Sequence, residues 1–413
     1  MAIDYGGGKP AVDYPCYYGM KLFDNEFKEW IDAHRNDDVA SLRLRFASAD
    51  AEVKEAISQI EYRAKAGDKF RSADADFAPQ WFPTGLSVEQ ASSAAVAAFH
   101  ASLMAEAHSV LDMTMGLGVD AAAVAAIDKA EVTAIERDAR LCEFARENYK
   151  SLGNLTVINA DSVEWLRDTK QVFDWIFIDP ARRDDVGRRV FNIHDCTPDV
   201  AEIMPLMFEH AADILVKLSP MLDLSATITD LGKVAALYIV EERGEVREVL
   251  VHLNRDAVSS PDTTPIEVVN GDNRFLFTRE QEAQSAERYA EPVAGDFLYE
   301  PSPAVMKAGP FKLLCEKFDV GALHPNTHLY VSAQKIDNFP GRRYLIRAVI
   351  PYASKNIKRF AREYPAASVS VRNFPCTAAA LRAKLKVKES DAVKVVGATL
   401  KGGNQVLIVM GRE

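Results

Sequence analysis

Hydrophobic and polar positions follow two different periods along the chain. Between residues 20 and 105 apolar residues recur at helical spacing, most clearly over Ala51–Ala66, which predicts a helical N-terminal region. From Ser109 to Leu253 short apolar runs alternate with helical stretches, and this alternation predicts a parallel sheet covered by helices on both faces. The predicted strands are VLDM (110–113), EVTAIE (131–136), LTVIN (155–159), WIFID (175–179), DILVKL (213–218), LYIVEE (237–242) and EVLVHL (248–253). The last two lie too close together for a crossover helix, so an antiparallel hairpin is predicted there.

Local sequence patterns predict one further helix start and the boundaries of the domains. A helix is predicted to begin near Ser87, because Ser87 and Gln90 have the spacing of a capping box. Turn residues dominate from Thr263 to about Leu329, which is predicted to be a small α+β connector. From Tyr330 onward four short strands flank two helical stretches, which indicates a compact α+β module. The predicted domains are a helical region at 1–105, an α/β domain at 106–258, the connector at 259–329 and the C-terminal domain at 330–413.

The composition narrows the class of protein. The chain has 413 residues, of which 48% are hydrophobic and 26% charged, as expected of a globular protein. It contains no apolar run of about 18 residues, so no membrane helix is predicted. The N-terminal residues lack the pattern of a signal peptide. The five cysteines are scattered without a CxxC pair, which predicts a cytoplasmic protein with reduced thiols and no metal site.

Charge is distributed unevenly along the chain. Residues 330–413 contain 16 Lys and Arg but only 5 Asp and Glu, a net charge of +11, whereas the whole chain carries −11. The remaining residues therefore carry −22. An acidic body with a basic C-terminal module is expected when that module binds a polyanion.

A glycine-containing turn follows the first predicted strand. That strand ends in Asp112, and the chain then passes through Gly116 and Gly118 into a predicted helix. Glycines at such a turn permit positive φ and let a ligand approach the backbone. The turn by itself also fits a dinucleotide fingerprint or a purely structural connection.

Carboxylates follow each of the next strands. Glu136 ends the second strand, where it could accept both hydroxyls of a ribose, and Asp161 follows the third, where it could accept an adenine amino group. Asp179 ends the fourth strand. One Asp at a strand end is often only a helix cap, but four carboxylates in register point to a ligand site. Because the acidic residues Asp112 and Asp120 would repel a pyrophosphate, a phosphate-free cationic cofactor fits better than a dinucleotide.

These motifs resemble those of a known family. The run Asp112-x-Thr114-x-Gly116-x-Gly118, with Glu136, Asp161 and Asp179-Pro-Ala-Arg-Arg183, looks like motifs I to IV of class I S-adenosylmethionine-dependent methyltransferases. Their seven-stranded Rossmann-like α/β sheet likewise ends in a hairpin. The resemblance implies that S-adenosylmethionine is the cofactor and that the helix of Leu86–Ser93 closes over its methionine end. The cofactor-binding residues implied are Gln90, Ser93, Asp112, Thr114, Gly116, Gly118, Glu136, Asp161 and Asp179.

The motif after the fourth strand is similar to that of a bacterial group distantly related to trimethylguanosine synthase. In that group a methyltransferase domain precedes a THUMP-like domain, and THUMP domains are RNA-binding modules. The resemblance covers residues 80–255 well and 340–410 more loosely.

The candidate catalytic residues are Asp179, Pro180, Arg182 and Arg183. They depart from the Asn/Asp-Pro-Pro-aromatic signature of amino-group methyltransferases. Asp179 could still accept a hydrogen bond from an amine or a ring N–H, while Arg182 replaces the aromatic residue that stacks on the base. A guanidinium can stack on a base, contact a phosphate or pair with a nearby carboxylate. His194 and Lys217 are interpreted as structural.

The C-terminal module carries a basic helical stripe. Its residues are Lys355, Lys358, Arg359 and Arg362, at positions i, i+3, i+4 and i+7. An apolar stripe of Ile357, Phe360, Ala361 and Tyr364 lies on the opposite face and is predicted to pack on the sheet. Arg382, Lys384, Lys386 and Lys388 form a second basic cluster. A charged stripe is often only a solvated face, but the scarcity of acidic residues favours a phosphate-binding surface.

The sequence therefore predicts a methyltransferase that modifies a base in RNA, with Lys355, Lys358, Arg359, Arg362, Arg382 and Lys386 as RNA-binding residues. A methyltransferase acting on a small molecule or a protein is the alternative within the same chemistry. An inactive RNA-binding adaptor with a methyltransferase fold is an alternative from another class. A nicotinamide-dependent oxidoreductase is disfavoured by the acidic turn.

Overall fold

The computed structural model describes residues 20–71, 77–127, 130–182 and 193–411. The chain divides into two compact units, Met1–Trp165 and Leu166–Glu413.

The first unit begins with helices and continues with strand–helix alternation. Its helices are α1 (Asn25–His34), α2 (Val39–Arg45), α3 (Ala51–Ala66), α4 (Gly85–Gln90), α5 (Ala94–Leu103), α6 (Val119–Ala125), α7 (Ala139–Asn148) and α8 (Ser162–Asp168), which runs past the boundary. Its strands are β1 (Ser109–Asp112), β2 (Glu131–Glu136) and β3 (Leu155–Asn159). They are parallel, and β2 pairs with both of the others. Their ends therefore lie at one edge, which positions the glycine turn beside the end of β2.

The N-terminal helices share a hydrophobic core with α7. Trp30, Ile57 and Trp81 belong to this core, and Phe144 of α7 is fully buried in it. The side chain of Asn148 also accepts hydrogen bonds from the backbone of Gln80 and Trp81, at 3.0 and 2.8 Å. The helical region predicted at the N-terminus thus packs against the helix that follows β2.

The start predicted for α4 is wrong by two residues. The helix begins at Gly85, and Thr84 caps it by accepting from the backbone N–H of Ser87 at 3.0 Å. The Ser87 hydroxyl oxygen accepts in return from the N–H of Thr84, so Ser87 is the N3 residue of the box rather than its cap. Ala91 is extended, which ends the helix.

The first part of the second unit contains the other four predicted strands and, among the described residues, four more. Its strands are β4 (Phe173–Ile178), β5 (Ala181–Arg182), β6 (Cys196–Thr197), β7 (Ala211–Leu218), β8 (Val234–Glu242), β9 (Glu245–Asn254), β10 (Ile266–Asn270) and β11 (Asn273–Phe277). Its helices are α9 (Val200–His210), α10 (Leu224–Leu231) and α11 (Arg279–Gln284). The order of the strands in the large sheet of this unit is β11-β10-β8-β9-β7-β4, and β5 pairs with β6 in a separate two-stranded sheet.

The antiparallel hairpin predicted at the end of the sheet is confirmed. Strands β8 and β9 form it, and β9 is also antiparallel to β7. Beyond them, β10 pairs in parallel with β8 and turns back as β11. Ile266 and Val268 are buried, which explains why residues predicted as connector join this sheet instead. All seven predicted strands are present, and the domain boundaries stay a prediction.

The end of the chain forms a second sheet. Its strands are β12 (Phe297–Pro301), β13 (Gly321–Ala322), β14 (Tyr330–Ser332), β15 (Gly341–Pro351), β16 (Ser368–Arg372), β17 (Lys394–Thr399) and β18 (Gln405–Gly411). Their order is β13-β14-β12-β15-β18-β17-β16. The helices are α12 (Pro303–Ala308), α13 (Phe311–Phe318), α14 (Ser354–Glu363) and α15 (Ala378–Leu385). Helices α14 and α15 share a core with β17 and β18.

Candidate functional site

The turn between β1 and α6 is held by its own backbone and by Asp112. Asp112 is 2% exposed, and its Oδ1 accepts from the N–H of Thr114 at 2.9 Å. Gly116 and Gly118 have φ of +57° and +84°, in the left-handed region that favours glycine. Gly118 is the N-cap of α6. The chain therefore reverses tightly at the end of β1 and opens directly into a helix.

Space as well as conformation requires glycine at position 118. A Cβ there would lie 2.8 Å from Cε2 of Tyr149. Tyr149 is buried, and its hydroxyl has no hydrogen-bond partner within the described ranges. Burial raises the pKa of Tyr149, and the charge of Asp120 raises it further, so the phenol stays neutral. The buried ring of Tyr149 thus packs against the turn at Gly118.

Glu136 braces the same turn from β2. Its Oε2 accepts from the N–H of Gly116 at 2.9 Å, and its Oε1 accepts from the N–H of Asp138 at 2.9 Å. The parallel pairing of β1 with β2 brings it there, because Asp112 lies opposite Ala134. The structure brings Asp112, Thr114, Gly116, Gly118 and Glu136 together, as the sequence predicts. Their role in binding a cofactor stays a prediction.

Asp161 has a local role in the structure. Its Oδ1 accepts from the N–H groups of Val163 and Glu164, both at 3.0 Å, and it is exposed. These contacts are those of a cap at the start of α8. The contact predicted with an adenine amino group would have to use the remaining acceptor capacity of the carboxylate, and it stays a prediction.

The connection between α4 and α5 is tied to α6 through Asp120. Ser92 Oγ donates to Asp120 Oδ2 at 2.8 Å, and Nδ1 of the buried His100 lies 2.8 Å from Asp120 Oδ1. Of the predicted residues in this segment, Gln90 is exposed at the end of α4, while Ser93 caps α5 by accepting from Val96 N–H. Sequence reasoning missed Ser92 and His100, since nothing in their spacing links them to Asp120.

In the second unit Asp179 contacts a lysine. Lys217 Nζ lies 2.7 Å from Asp179 Oδ2 and 3.9 Å from Glu248 Oε2. Pro180 is buried, and the backbone of Arg182 pairs with Cys196. The Arg182 side chain and the whole of Arg183 lie outside the part of the chain that the structure describes.

His194 contacts the carboxylate of Asp199. His194 Nδ1 lies 3.0 Å from Asp199 Oδ2, and this hydrogen bond raises the pKa of His194. The contact fits the structural role expected for His194.

None of the described helices is both long and apolar enough to cross a bilayer. Within the described residues, no group of three or more His, Cys, Asp or Glu is arranged to hold a metal ion.

The basic stripe of α14 faces solvent. Lys355, Lys358, Arg359 and Arg362 are exposed. The opposite stripe packs into the core of the second sheet, where Phe360 is 2% exposed, which confirms the predicted orientation of the helix. In the second basic cluster Arg382 forms an ion pair with Glu389, which is a structural role rather than a contact with phosphate. Lys386 is exposed at the end of α15.

Three segments match known protein families. Residues 92–176 are similar to the ribosomal RNA adenine dimethylase family, and residues 297–340 to a ferredoxin-like domain. Residues 341–412 match a THUMP domain-like family. The C-terminal THUMP-like domain predicted from the sequence is confirmed.

A solved structure matches the chain over nearly its whole length. It is a crystal structure from Porphyromonas gingivalis named "putative methyltransferase", with 30% sequence identity and a TM-score of 0.82. The match covers 95% of this chain and 100% of that one. The chain belongs to this methyltransferase family. The α/β methyltransferase fold expected from the sequence is therefore confirmed.

A curated relative matches this methyltransferase over a shorter stretch. It is an uncharacterized RNA methyltransferase from Mycoplasma mobile, 36% identical over 76 residues. Those residues make up 18% of this chain and 21% of the relative. The chain thus spans about a fifth of the length of the curated relative it matches.

Proposed function

We propose that this methyltransferase transfers a methyl group from S-adenosylmethionine to a base in RNA that its THUMP-like domain binds. The observation that carries the proposal is the glycine turn braced by Glu136, because it combines close access to the backbone with surrounding carboxylates. The match of residues 92–176 to an RNA-modifying family supports the same class of substrate.

The residues of the turn fit an adenosyl cofactor that lacks phosphate. The carboxylates of Asp112, Asp120 and Glu136 lie on the segments that form and brace the turn, so a pyrophosphate there would meet negative charge. When bound, S-adenosylmethionine supplies a methyl group activated by a positively charged sulfur. Glu136 would accept the ribose hydroxyls, Asp161 the adenine amino group, and Gln90 with Ser93 would close the methionine end.

Asp179 would orient the acceptor base. Its carboxylate can accept a hydrogen bond from an exocyclic amine or a ring N–H, which directs the lone pair of that nitrogen. Buried Pro180 fixes the chain after it, and Arg182 and Arg183 would hold the base or a neighbouring phosphate. Because methyl transfer is an in-line displacement, alignment of the two reacting atoms supplies most of the acceleration.

The exposed cations of α14 would bind the RNA backbone. Lys355, Lys358, Arg359 and Arg362 lie on one face of a helix whose other face is buried, so their charges project together. The four take part in no ion pair among the residues that the structure describes. Contacts of this kind would position structured RNA without reading its sequence.

The proposal is tested with total RNA from a deletion strain, purified protein and S-adenosylmethionine carrying a labelled methyl group. We expect label in RNA, and mass spectrometry of nucleosides then identifies the methylated base. Label that appears only in protein or in small molecules would overturn the RNA assignment and favour the alternative acceptors. Absence of heat on titration with the cofactor at millimolar protein would favour the inactive adaptor.

A further inference from the structure

Lys217 contacts the carboxylate that is proposed to hold the acceptor base. Its Nζ lies 2.7 Å from Asp179 Oδ2, a hydrogen-bond distance as well as an ion pair. The Lys217 side chain is 14% exposed and that of Asp179 is 38% exposed. The ammonium is therefore largely withdrawn from solvent, whereas the Asp179 side chain is partly exposed.

The register of the sheet produces this contact. Ile178 at the end of β4 lies opposite Val216 of the parallel strand β7. Asp179 directly follows Ile178 and Lys217 directly follows Val216, so the two residues continue that register as neighbours. Their separation of 38 residues in the sequence is bridged entirely by the parallel pairing of β4 with β7.

A second carboxylate holds Lys217 from the other side. Glu248 Oε2 on β9 lies 3.9 Å from Lys217 Nζ, and the Glu248 side chain is only 4% exposed. Lys217 pairs with Leu250 across the antiparallel ladder, so Glu248 is its diagonal neighbour on the same face. A buried carboxylate at this place limits the directions in which the ammonium can point.

We propose that Lys217 is a positioning residue for Asp179, set in place by Glu248. The proposal rests on the proposed function, because it assigns Lys217 to the same base-holding carboxylate. By binding Oδ2 at 2.7 Å, Lys217 fixes the rotation of the carboxyl group. Lys217 touches neither cofactor nor acceptor in this role. It acts on the alignment of the acceptor nitrogen.

The test replaces the lysine without leaving a buried charge behind. Lys217→Met is made in a Glu248→Gln background, which removes both charges of the Lys217–Glu248 pair, and it is compared with Glu248→Gln alone. Lys217→Arg in the native background keeps the charge and the hydrogen bond. Lys233→Met is the matched control, because Lys233 is part-buried near the same sheet and its ammonium lies 3.4 Å from a backbone oxygen, that of Ala257, rather than from a carboxylate.

Methylation of total RNA is measured at saturating and at limiting RNA. We expect Lys217→Met to lower kcat by about 100-fold, as expected for misaligned reactants, with KM for RNA and affinity for S-adenosylhomocysteine nearly unchanged. Lys217→Arg is expected to recover most of kcat. A fall in cofactor affinity and melting temperature that accounts for the lost activity would overturn the proposal in favour of a purely structural ion pair.

A double-mutant cycle with Asp179→Asn asks whether Lys217 acts through Asp179. The two losses in kcat are expected to be far from additive, so that Lys217→Met adds little once Asp179 is an amide. Additive losses would overturn the proposal. If wild-type protein methylates a protein or small molecule instead of RNA, the proposed substrate fails, and the same cycle is read on that acceptor. Failure to methylate any fraction of an extract overturns both.

Discussion

The glycine turn and the basic face of α14 hold their functional groups in opposite ways. At the turn, Glu136, Gly116 and Gly118 are fixed by backbone hydrogen bonds and by the buried ring of Tyr149. On α14, the cations lie on long exposed side chains, and only the helix beneath them is anchored, through Phe360. A fixed geometry suits one small ligand in one pose, whereas mobile charges suit a long polyanion. Single substitutions should therefore act steeply at the first region and gradually at the second.

Gly118→Ala tests the fixed geometry most severely. The new Cβ would meet Tyr149 at 2.8 Å, and alanine at a φ of +84° costs roughly 1–2 kcal/mol. We expect affinity for S-adenosylhomocysteine, measured by calorimetry, to fall by about 100-fold, as when a ligand-facing backbone is displaced. Gly153→Ala is the control, because nothing lies within 4 Å of its added Cβ. Equal cofactor affinity in the two variants would contradict the steep response.

Glu136→Gln should come next in size. The carboxylate accepts from two backbone N–H groups, and an amide can accept from only one of them, so one donor loses its partner at a cost of about 1–3 kcal/mol. We expect the calorimetric affinity for S-adenosylhomocysteine to fall by about tenfold, together with a lower melting temperature. Glu143→Gln, at an exposed position on α7, is the matched control. An unaltered affinity would show that Glu136 neither braces the turn nor contacts the ribose.

Neutralising α14 should have smaller, additive effects. We expect Lys358→Ala to weaken RNA binding by about threefold and to reduce the slope of log affinity against log salt by about 1, because one phosphate contact is lost. Adding Arg359→Ala should double both changes on these logarithmic scales, with cofactor affinity unchanged. Lys54→Ala and Lys317→Ala remove equal charge from exposed positions elsewhere. Equal losses in that control pair would mean that net charge, not this face, binds RNA.

Substitutions of Asp161 distinguish a helix cap from a cofactor contact. Asp161→Asn keeps a capping oxygen for α8, whereas Asp161→Ala removes it at a cost of about 1 kcal/mol in unfolding free energy. We expect both variants to lose affinity for S-adenosylhomocysteine by about threefold, while only Ala lowers the melting temperature. Should Asn bind the cofactor as tightly as wild type, Asp161 is a helix cap and nothing more.

Much of the fold follows from local patterns. The bounds of α3, β2 and β3 agree with the sequence patterns, because their apolar periods run to the end of each element and stop at turn residues. The hairpin of β10 and β11 was missed, since its strands are short and lie among turn residues. It is stabilised by pairing with β8, which no local pattern records.

Part of the candidate site could likewise be predicted from the sequence, and part could not. Gly116, Gly118 and Glu136 stand at fixed distances from strand ends, so the sequence could predict that they meet. Lys217 reaches Asp179 through the register of β4 with β7, and no spacing in the sequence records that register. The link from Ser92 to Asp120 likewise depends on the packing of α5 against α6.

The pairing of β12 with β15 limits how this chain can be divided. The match to the ferredoxin-like domain ends at residue 340, and the match to the THUMP-like family begins at residue 341. Strands β12 and β15 pair across that boundary, from Phe297 opposite Leu345 to Pro301 opposite Gly341. A chain shortened to begin at residue 341 would leave one edge of β15 bare, and such an edge invites pairing with another copy. A C-terminal part that is exchanged between relatives must therefore include all residues from 297 onward, so that β12 and β15 stay together.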